Sequence, residues 1–327
     1  MKQAPGVGAA TPAADLLELA AALPTHLRLG TSSWNYPGWV GTVWDRDYPE
    51  AKLSRSGLAA YARHPLFRTV SVDRGFYKPL NSAQFQEYAA QTADDFRFVV
   101  KAPSVITDAL IRNEDGRGMK FNPNFLDAMQ VERLLVEPAL TGLGPRLGAL
   151  VFQISPLPDL YLTQIPELIE RLHKLLLEIR GLRAAAPDGV VAVEVRDRQW
   201  LTPQFVDALR DARATYCMGL HAKMPRIDAQ LPILRKLWPG PLVCRWNLNP
   251  LHGAYGYEDA RRQYEPFDKL VDPDLDTRAA LAKVIAGTAN AGQNVYVTLS
   301  NKAEGSAPLS VLELARTVRG LGVGSGS

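Results

Sequence analysis

Eight short apolar runs recur along this chain, each followed by a segment with helical spacing, and that strict alternation limits the fold more than any other feature. The runs at 27–33, 69–73, 97–101, 147–154, 190–195, 215–221, 242–247 and 295–300 read as strands. Helical patterns are expected at 56–63, 82–91, 125–140, 162–179, from 202 onward, and at 227–236, 277–291 and 308–319. Strands separated by helices must pair in parallel, because the chain returns to the same end of the sheet after each crossover. Eight such units point to a closed (β/α)8 TIM-type barrel rather than an open doubly wound sheet. The chain's 327 residues suit one barrel of about 250 residues with insertions. Two long excursions, a polar loop at 107–123 after the third strand and a second at 248–276 after the seventh, supply the excess. A single domain over 13–321 is expected, opening on a short helix at 13–23, between a disordered tail at 1–12 and a flexible end at 322–327.

Several function classes find no support. A net charge of +3 is too weak to imply a polyanionic partner, although a local basic patch remains compatible with it. No apolar run is long enough to span a bilayer, and 1–12 lacks the basic and apolar parts of a signal peptide, so a cytoplasmic protein without membrane partners is expected. Cys217 and Cys244 sit in apolar strand runs and read as core residues. No glycine-rich phosphate loop, nucleophile elbow or His-Glu-x-x-His pair occurs, so no cofactor or metal is expected. A magnesium site built from Asp73 and Glu194 would lack a third carboxylate. Nothing in the pattern specifies an oligomeric state.

Active sites of such barrels lie at the C-terminal ends of the strands. Side chains alternate across a strand, so in the fifth run Val191, Val193 and Val195 share one face while Ala192, Glu194 and Arg196 share the other. The same parity places Asp73 with Ser71, Lys101 with Val99, and Arg245 and Asn247 with Val243. Gln153 ends the fourth strand and His221 the sixth; a lone histidine there is more often structural than catalytic. Parity on the eighth strand is ambiguous between Asn301 and the pair Thr298 and Ser300. Glu194 with Arg196 alone would read as a barrel-mouth ion pair. Polar residues converging from six other strands favour a functional site, because isolated buried charges are costly. The aromatics Trp34, Tyr36, Trp39, Trp44 and Tyr48 fit equally a capping mini-core and a platform for sugar rings or bases.

Gly30-Thr31-Ser32-Ser33-Trp34-Asn35-Tyr36-Pro37-Gly38-Trp39, Phe76-Tyr77, Phe96 to Lys101, Phe152-Gln153 and Glu194-Val195-Arg196 with Trp200 resemble the YecE-like family, domain of unknown function 72. The resemblance runs from about Leu27 to the closing helix and implies a (β/α)8 barrel without implying a reaction. This chain departs from the family pattern at Ser71-Val72-Asp73, Thr107-Asp108, Arg245-Trp246-Asn247 and Ser300-Asn301-Lys302, losing two histidines.

The leading expectation is an enzyme that binds a small polar, anionic or sugar-like ligand at the barrel mouth. In it Glu194 is the acid or base, with Asp73 the partner that a glycosidase would require. Lys101 and Arg245 stabilise negative charge; Arg196, Gln153, Asn247 and Asn301 orient the ligand; Trp34, Tyr36 and Tyr77 wall the pocket. The alternatives are a nucleic-acid-binding or phosphodiester-processing barrel, with Trp34 stacking on bases, and a non-catalytic ligand-binding or scaffold barrel.

Overall fold

All eight apolar runs become strands in the computed structural model, which describes residues 6–113, 117–179, 182–253 and 255–324. In chain order the strands are β1 (Leu27–Thr31), β2 (Phe67–Val72), β3 (Arg97–Lys101), β4 (Leu110–Arg112), β5 (Gly118–Phe121), β6 (Leu147–Gln153), β7 (Val190–Glu194), β8 (Thr215–Leu220), β9 (Leu242–Trp246) and β10 (Val295–Leu299). Eight of them close in the order β1-β10-β9-β8-β7-β6-β3-β2, every neighbouring pair parallel. The expected (β/α)8 barrel is therefore the fold.

Alternation divides the strand residues between two cores. Val99, Ala149, Val151, Val190, Ala192, Cys217, Val243 and Tyr296 fill the barrel interior. The opposite faces, Val193 and Val195 among them, pack on the helices in the larger outer core. Helix Ile165–Glu178 shows why the helical segments fold as they do. Ile165, Leu168, Ile169, Leu172, Leu175 and Leu176 recur at spacings of three and four and are all buried. The helix Pro203–Asp211 starts as expected, with Pro203 in its first turn and the Thr202 hydroxyl accepting from Phe205 N at 3.2 Å. Such a cap is worth about 1 kcal/mol.

Both excursions are structured. The first, expected as a polar loop, carries the antiparallel hairpin β4–β5, in which Leu110 pairs with Phe121 and Ile111 with Lys120. Apolar and β-forming residues flanking the acidic stretch explain the difference; residues 114–116 of that stretch lie outside the described ones. The second contains the helix Tyr257–Tyr264, and its own small core joins Leu248, Ala260, Tyr264 and Phe267. Glu304, fully buried beyond β10, ties the end of this excursion down. Its Oε1 accepts from Arg278 Nη2 at 2.6 Å and from Asp274 N at 2.8 Å, and its carbonyl accepts from Val271 N at 2.8 Å.

The leading segment corrects an expectation. Residues 1–5 of the expected tail lie outside the described ones, but from Val7 onward the chain is held. Gly8 N donates to Tyr48 OH at 2.9 Å, Ala9 bridges Trp44, and Ala10 N donates to Val43 O at 2.9 Å. Backbone pairing with the aromatic loop holds it. At the other end Val323 is buried, while 325–327 lie outside the described residues. Among the described residues no helix is long and apolar enough to cross a membrane.

Candidate active site

Gln153 and Glu194 are direct neighbours in the β6–β7 register, at the C-terminal ends of both strands. Interior parity, set by Ala192 and Val190, turns Glu194 into the barrel, where it is fully buried. Its Oε1 meets Arg196 Nη2 at 2.7 Å, and its Oε2 meets Arg245 Nη1 at 2.7 Å. Asn247 Nδ2 adds a contact to Oε1 at 3.3 Å. Gln153 Oε1 accepts from Arg196 Nη2 and Arg245 Nη1, both at 2.9 Å, which keeps the two guanidiniums side by side. Gly219 makes the room, since a Cβ there would stand 3.0 Å from Glu194 Oε1. Burial alone would raise the Glu194 carboxyl. Arg196, Arg245 and Lys101 outweigh it and hold the group below its ordinary value.

Arg245 also reaches Asp73, whose Oδ2 accepts from Nη2 at 2.6 Å while Oδ1 accepts from Ser71 Oγ at 2.6 Å. Burial would lower Arg245, but Asp73 and Glu194 overcome it and raise the guanidinium. One arginine thus bridges both carboxylates of the glycosidase hypothesis. Glu194 is held ionised between two guanidiniums.

Above this layer opens a cavity of about 590 Å³, walled in part by Asp73, Lys101, Gln153, Arg196, Arg245 and Asn247. Two donors on its wall stand out. Arg196 is 6% exposed, and its Nη1 is buried with no hydrogen-bond partner. Tyr257 stands beside it, its phenol raised by burial and partly relieved by the Arg196 charge and by a side-chain contact with that guanidinium that falls short of hydrogen-bond geometry at Nη1. Lys101 is 9% exposed, with Nζ 3.6 Å from the centroid of the Phe76 ring and, among the described residues, no hydrogen bond. Burial lowers its pKa to about 7, with Asp73 and Glu194 opposing that shift and Arg245 and Arg196 reinforcing it. His221 on the same wall falls to about 4 through burial and the nearby Arg196. Its Nδ1 accepts from Lys223 N at 3.1 Å, so the neutral ring carries its proton on Nε2.

The remaining predicted site residues divide. Tyr36 and Tyr77 line the cavity, Tyr77 at 86% exposure and Tyr36 half-buried, its phenol raised to about 12 by burial, then by Asp73 and Glu50. Trp34 does not reach it. Its ring is buried edge-on against Tyr88, 5.3 Å between centroids, beside a smaller cavity. Trp39 and Trp44 are buried and stacked, so the aromatic loop is the capping mini-core of the two readings weighed for it. Asn301 is not on the cavity wall either. Its Oδ1 accepts from Trp39 Nε1 at 3.2 Å and Ala307 N at 2.8 Å, pinning the loop and the last helix. Ser300 faces the cavity instead, which resolves the parity of β10 in favour of the Thr298 and Ser300 face.

The chain matches the family model described as Protein of unknown function DUF72 over residues 28–323. It belongs to the DUF72 family. Solved DUF72 proteins share the fold. One from Enterococcus faecalis V583 is 17% identical, with a TM-score of 0.58 over 90% of this chain and 95% of that one. One from Thermotoga maritima MSB8 is 18% identical, with a TM-score of 0.52 over 90% of this chain and 99% of that one. No curated protein matches.

In this DUF72 barrel the sequence reading missed Tyr257, which reaches the cavity from the second excursion with its ring 5.3 Å from His221. A signal existed. Any excursion leaving the C-terminal end of a barrel strand must lie over the mouth, so Tyr255 and Tyr257 within 248–276 were candidates. Among the described residues no group of three or more His, Cys, Asp or Glu side chains gathers as metal ligands.

Proposed function

We propose that the barrel mouth is an active site for a small polar molecule bearing an anionic group, with Lys101 as the group that moves a proton. The observation that carries this reading is Arg196, which lines a cavity of about 590 Å³ while its buried Nη1 has no hydrogen-bond partner. A buried donor without an acceptor costs about 1–3 kcal/mol. An anionic oxygen entering the cavity would remove that cost. Lys223 and Lys302 on the same wall add positive charge, while Glu194 and Asp73 are engaged by arginine.

The proton carrier shifts from Glu194 to Lys101 in this reading. A proton-transfer group works best with a pKa near the working pH and access to the substrate. Lys101 lines the cavity with a pKa of about 7, whereas Glu194 is sealed beneath two guanidiniums and held ionised. A glycosidase loses ground for the same reason, since neither carboxylate is free to be the acid. Base stacking loses its platform because Trp34 is buried.

A thermal-shift series with inorganic phosphate, short dicarboxylates, neutral sugars and a short oligonucleotide tests the proposal. Anions should raise the melting temperature of the wild-type protein and lose that effect in Arg196→Met, because binding to the folded state alone raises apparent stability. Equal responses of both proteins to every anion would sink it.

A further inference from the structure

We propose that Lys101 is a nucleophile that forms an imine with a small carbonyl compound carrying an anionic group, a 2-oxo acid being the simplest, whose carboxylate Arg196 Nη1 receives. This rests on the anion-pocket reading above and names its substrate class. Three features of the geometry lead to it. Lys101 Nζ lies in the cavity against the apolar face of Phe76 and, among the described residues, has no acceptor to keep its lone pair protonated. Both carboxylates near enough to act on its charge, Asp73 and Glu194, are bound by Arg245, and Glu194 also by Arg196. Arg196, whose buried Nη1 has no partner, lines the same cavity as Lys101, so one molecule can offer an oxyanion to the guanidinium and an electrophilic carbon to the amine.

Lysines become nucleophiles where burial and neighbouring cations deprive them of a proton at neutral pH. Burial and the two arginines do so here, with the Phe76 face as a counterweight favouring the ammonium. The step needs no co-reactant. The nitrogen lone pair adds to the carbonyl carbon, and the carbon–oxygen π pair moves to oxygen, which gains a proton as nitrogen gives one up through solvent. The carbinolamine then expels its hydroxyl as water together with the second nitrogen proton, leaving a carbon–nitrogen double bond. His221, neutral with its proton on Nε2, and the Tyr36 phenol are donors on the same wall that can support the departing oxygen.

Reductive trapping tests the inference on the full chain. The protein is incubated with pyruvate and sodium cyanoborohydride across pH 6 to 9 and analysed by intact mass and peptide mapping, with acetone as a neutral carbonyl control. The expected result is one adduct per chain, on Lys101, rising as pH passes about 7, as its amine loses the proton. Lys101→Met should give none, and Arg196→Met should lower labelling by pyruvate about tenfold more than labelling by acetone, which reports only the loss of one cation acting on the Lys101 amine. Adducts spread over surface lysines with none on Lys101, or pyruvate labelling of Lys101 equal in wild type and Arg196→Met, would overturn it. Failure of the imine is separable from failure of the pocket. If pyruvate raises the melting temperature through Arg196 but never labels Lys101, the imine falls and the anion pocket stands. If no anion raises it and only acetone labels Lys101, the pocket falls, and with it the substrate class proposed here.

Discussion

The barrel carries a cluster of arginine and carboxylate at each end, and the two are built for different ends. At the bottom, Arg28 Nη2 and Arg97 Nε both donate to Asp188 Oδ2 at 2.9 Å, and Arg28 Nη1 donates to Asn294 Oδ1 at 2.8 Å. The Tyr296 ring lies on the interior axis, with its hydroxyl donating to Asp188 O at 3.0 Å and the Arg28 guanidinium 5.2 Å from its centroid. That arrangement plugs the barrel and lets its carboxylate, 30% exposed, share its charge with water. At the top one carboxylate, Glu194, is sealed at 0% exposure beneath the arginines, Asp73 joins Arg245 from the solvent side, and Arg196, with an unpartnered Nη1, lines a cavity. The pairings are alike, but the order from core to solvent is reversed. A buried anion beneath exposed-side cations presents positive charge outward, whereas an exposed anion joining buried cations neutralises a rim.

Removing the carboxylate at each end should separate the two most sharply. Glu194→Ala leaves two guanidiniums buried with Asp73 as the remaining carboxylate partner of one of them, and about 3–5 kcal/mol of stability should go. Asp188→Ala should cost about 1–2 kcal/mol, because water can replace a partly exposed partner. Urea unfolding of both variants measures this, and equal losses would remove the distinction.

A pH dependence comes next in size. The folded pKa of Lys101, about 7, lies below the ordinary lysine value, so between about pH 7 and 10 the unfolded chain binds the additional proton and stability rises with pH. Below that window both states are protonated and the burial penalty is present in full. Lys101→Met should therefore stabilise the protein more at pH 6 than at pH 9, by roughly 2–4 kcal/mol across the window. Asp188 acts elsewhere on the scale. Burial raises it, but Arg28 and Arg97 prevail and lower it, so its contribution is lost only as pH falls through the carboxylate range. Denaturation at several pH values, with Lys101→Met and Asp188→Asn, should show one slope removed on the alkaline side and the other on the acid side.

These clusters also show what the sequence made legible. The strands and their inward faces could be read because alternation is a local signal. The pattern at 97–101 and the helix at 227–236 coincide with the observed elements. Residues converging at the mouth followed from parity in the same way. Their roles did not, because each depends on a partner far along the chain. Glu194 is a sealed anchor only because Arg245, 51 residues later, closes over it. Asn301 falls just beyond β10, where the chain leaves strand geometry for the short helix Asn301–Ala303 and parity no longer tells in from out. Trp34 lies in a loop, where no periodicity assigns a face. At the bottom, Pro187-Asp188-Gly189 carries no more than a turn signal, although Asp188 joins two arginines, from β1 and β3.

Two glycines allow a finer comparison. A Cβ at Gly148 would stand 2.7 Å from Tyr296 Cε1 and 2.9 Å from Arg97 Cβ, between a buried ring and a backbone-anchored atom. Gly148→Ala should cost about 1–3 kcal/mol by overpacking the plug. At Gly219 the nearest atom is Glu194 Oε1 at 3.0 Å, a contact that a small carboxylate shift relieves. Gly219→Ala should cost no more than about 1 kcal/mol in stability, yet disturb the arginine pair above and weaken anion binding. Paired unfolding and thermal-shift titrations read both quantities.

The smallest effect on stability should come from the rim. Tyr77 is 86% exposed and lines the mouth cavity together with two others, of about 280 Å³ beside Trp34 and about 480 Å³ beside the hairpin. Its ring meets Phe76 edge-on at 5.2 Å, and Phe76 in turn faces the Lys101 ammonium. Removing so exposed a side chain should leave stability within about 0.5 kcal/mol. A ligand seated between Lys101 and Arg196 would lose one wall, so Tyr77→Ala should weaken it severalfold. Its effect should also grow with the size of the ligand, since larger anions reach further toward the rim that Tyr77 forms. Unchanged affinity for every anion tested would confine the ligand to the inner cavity, between Phe76 and the two arginines.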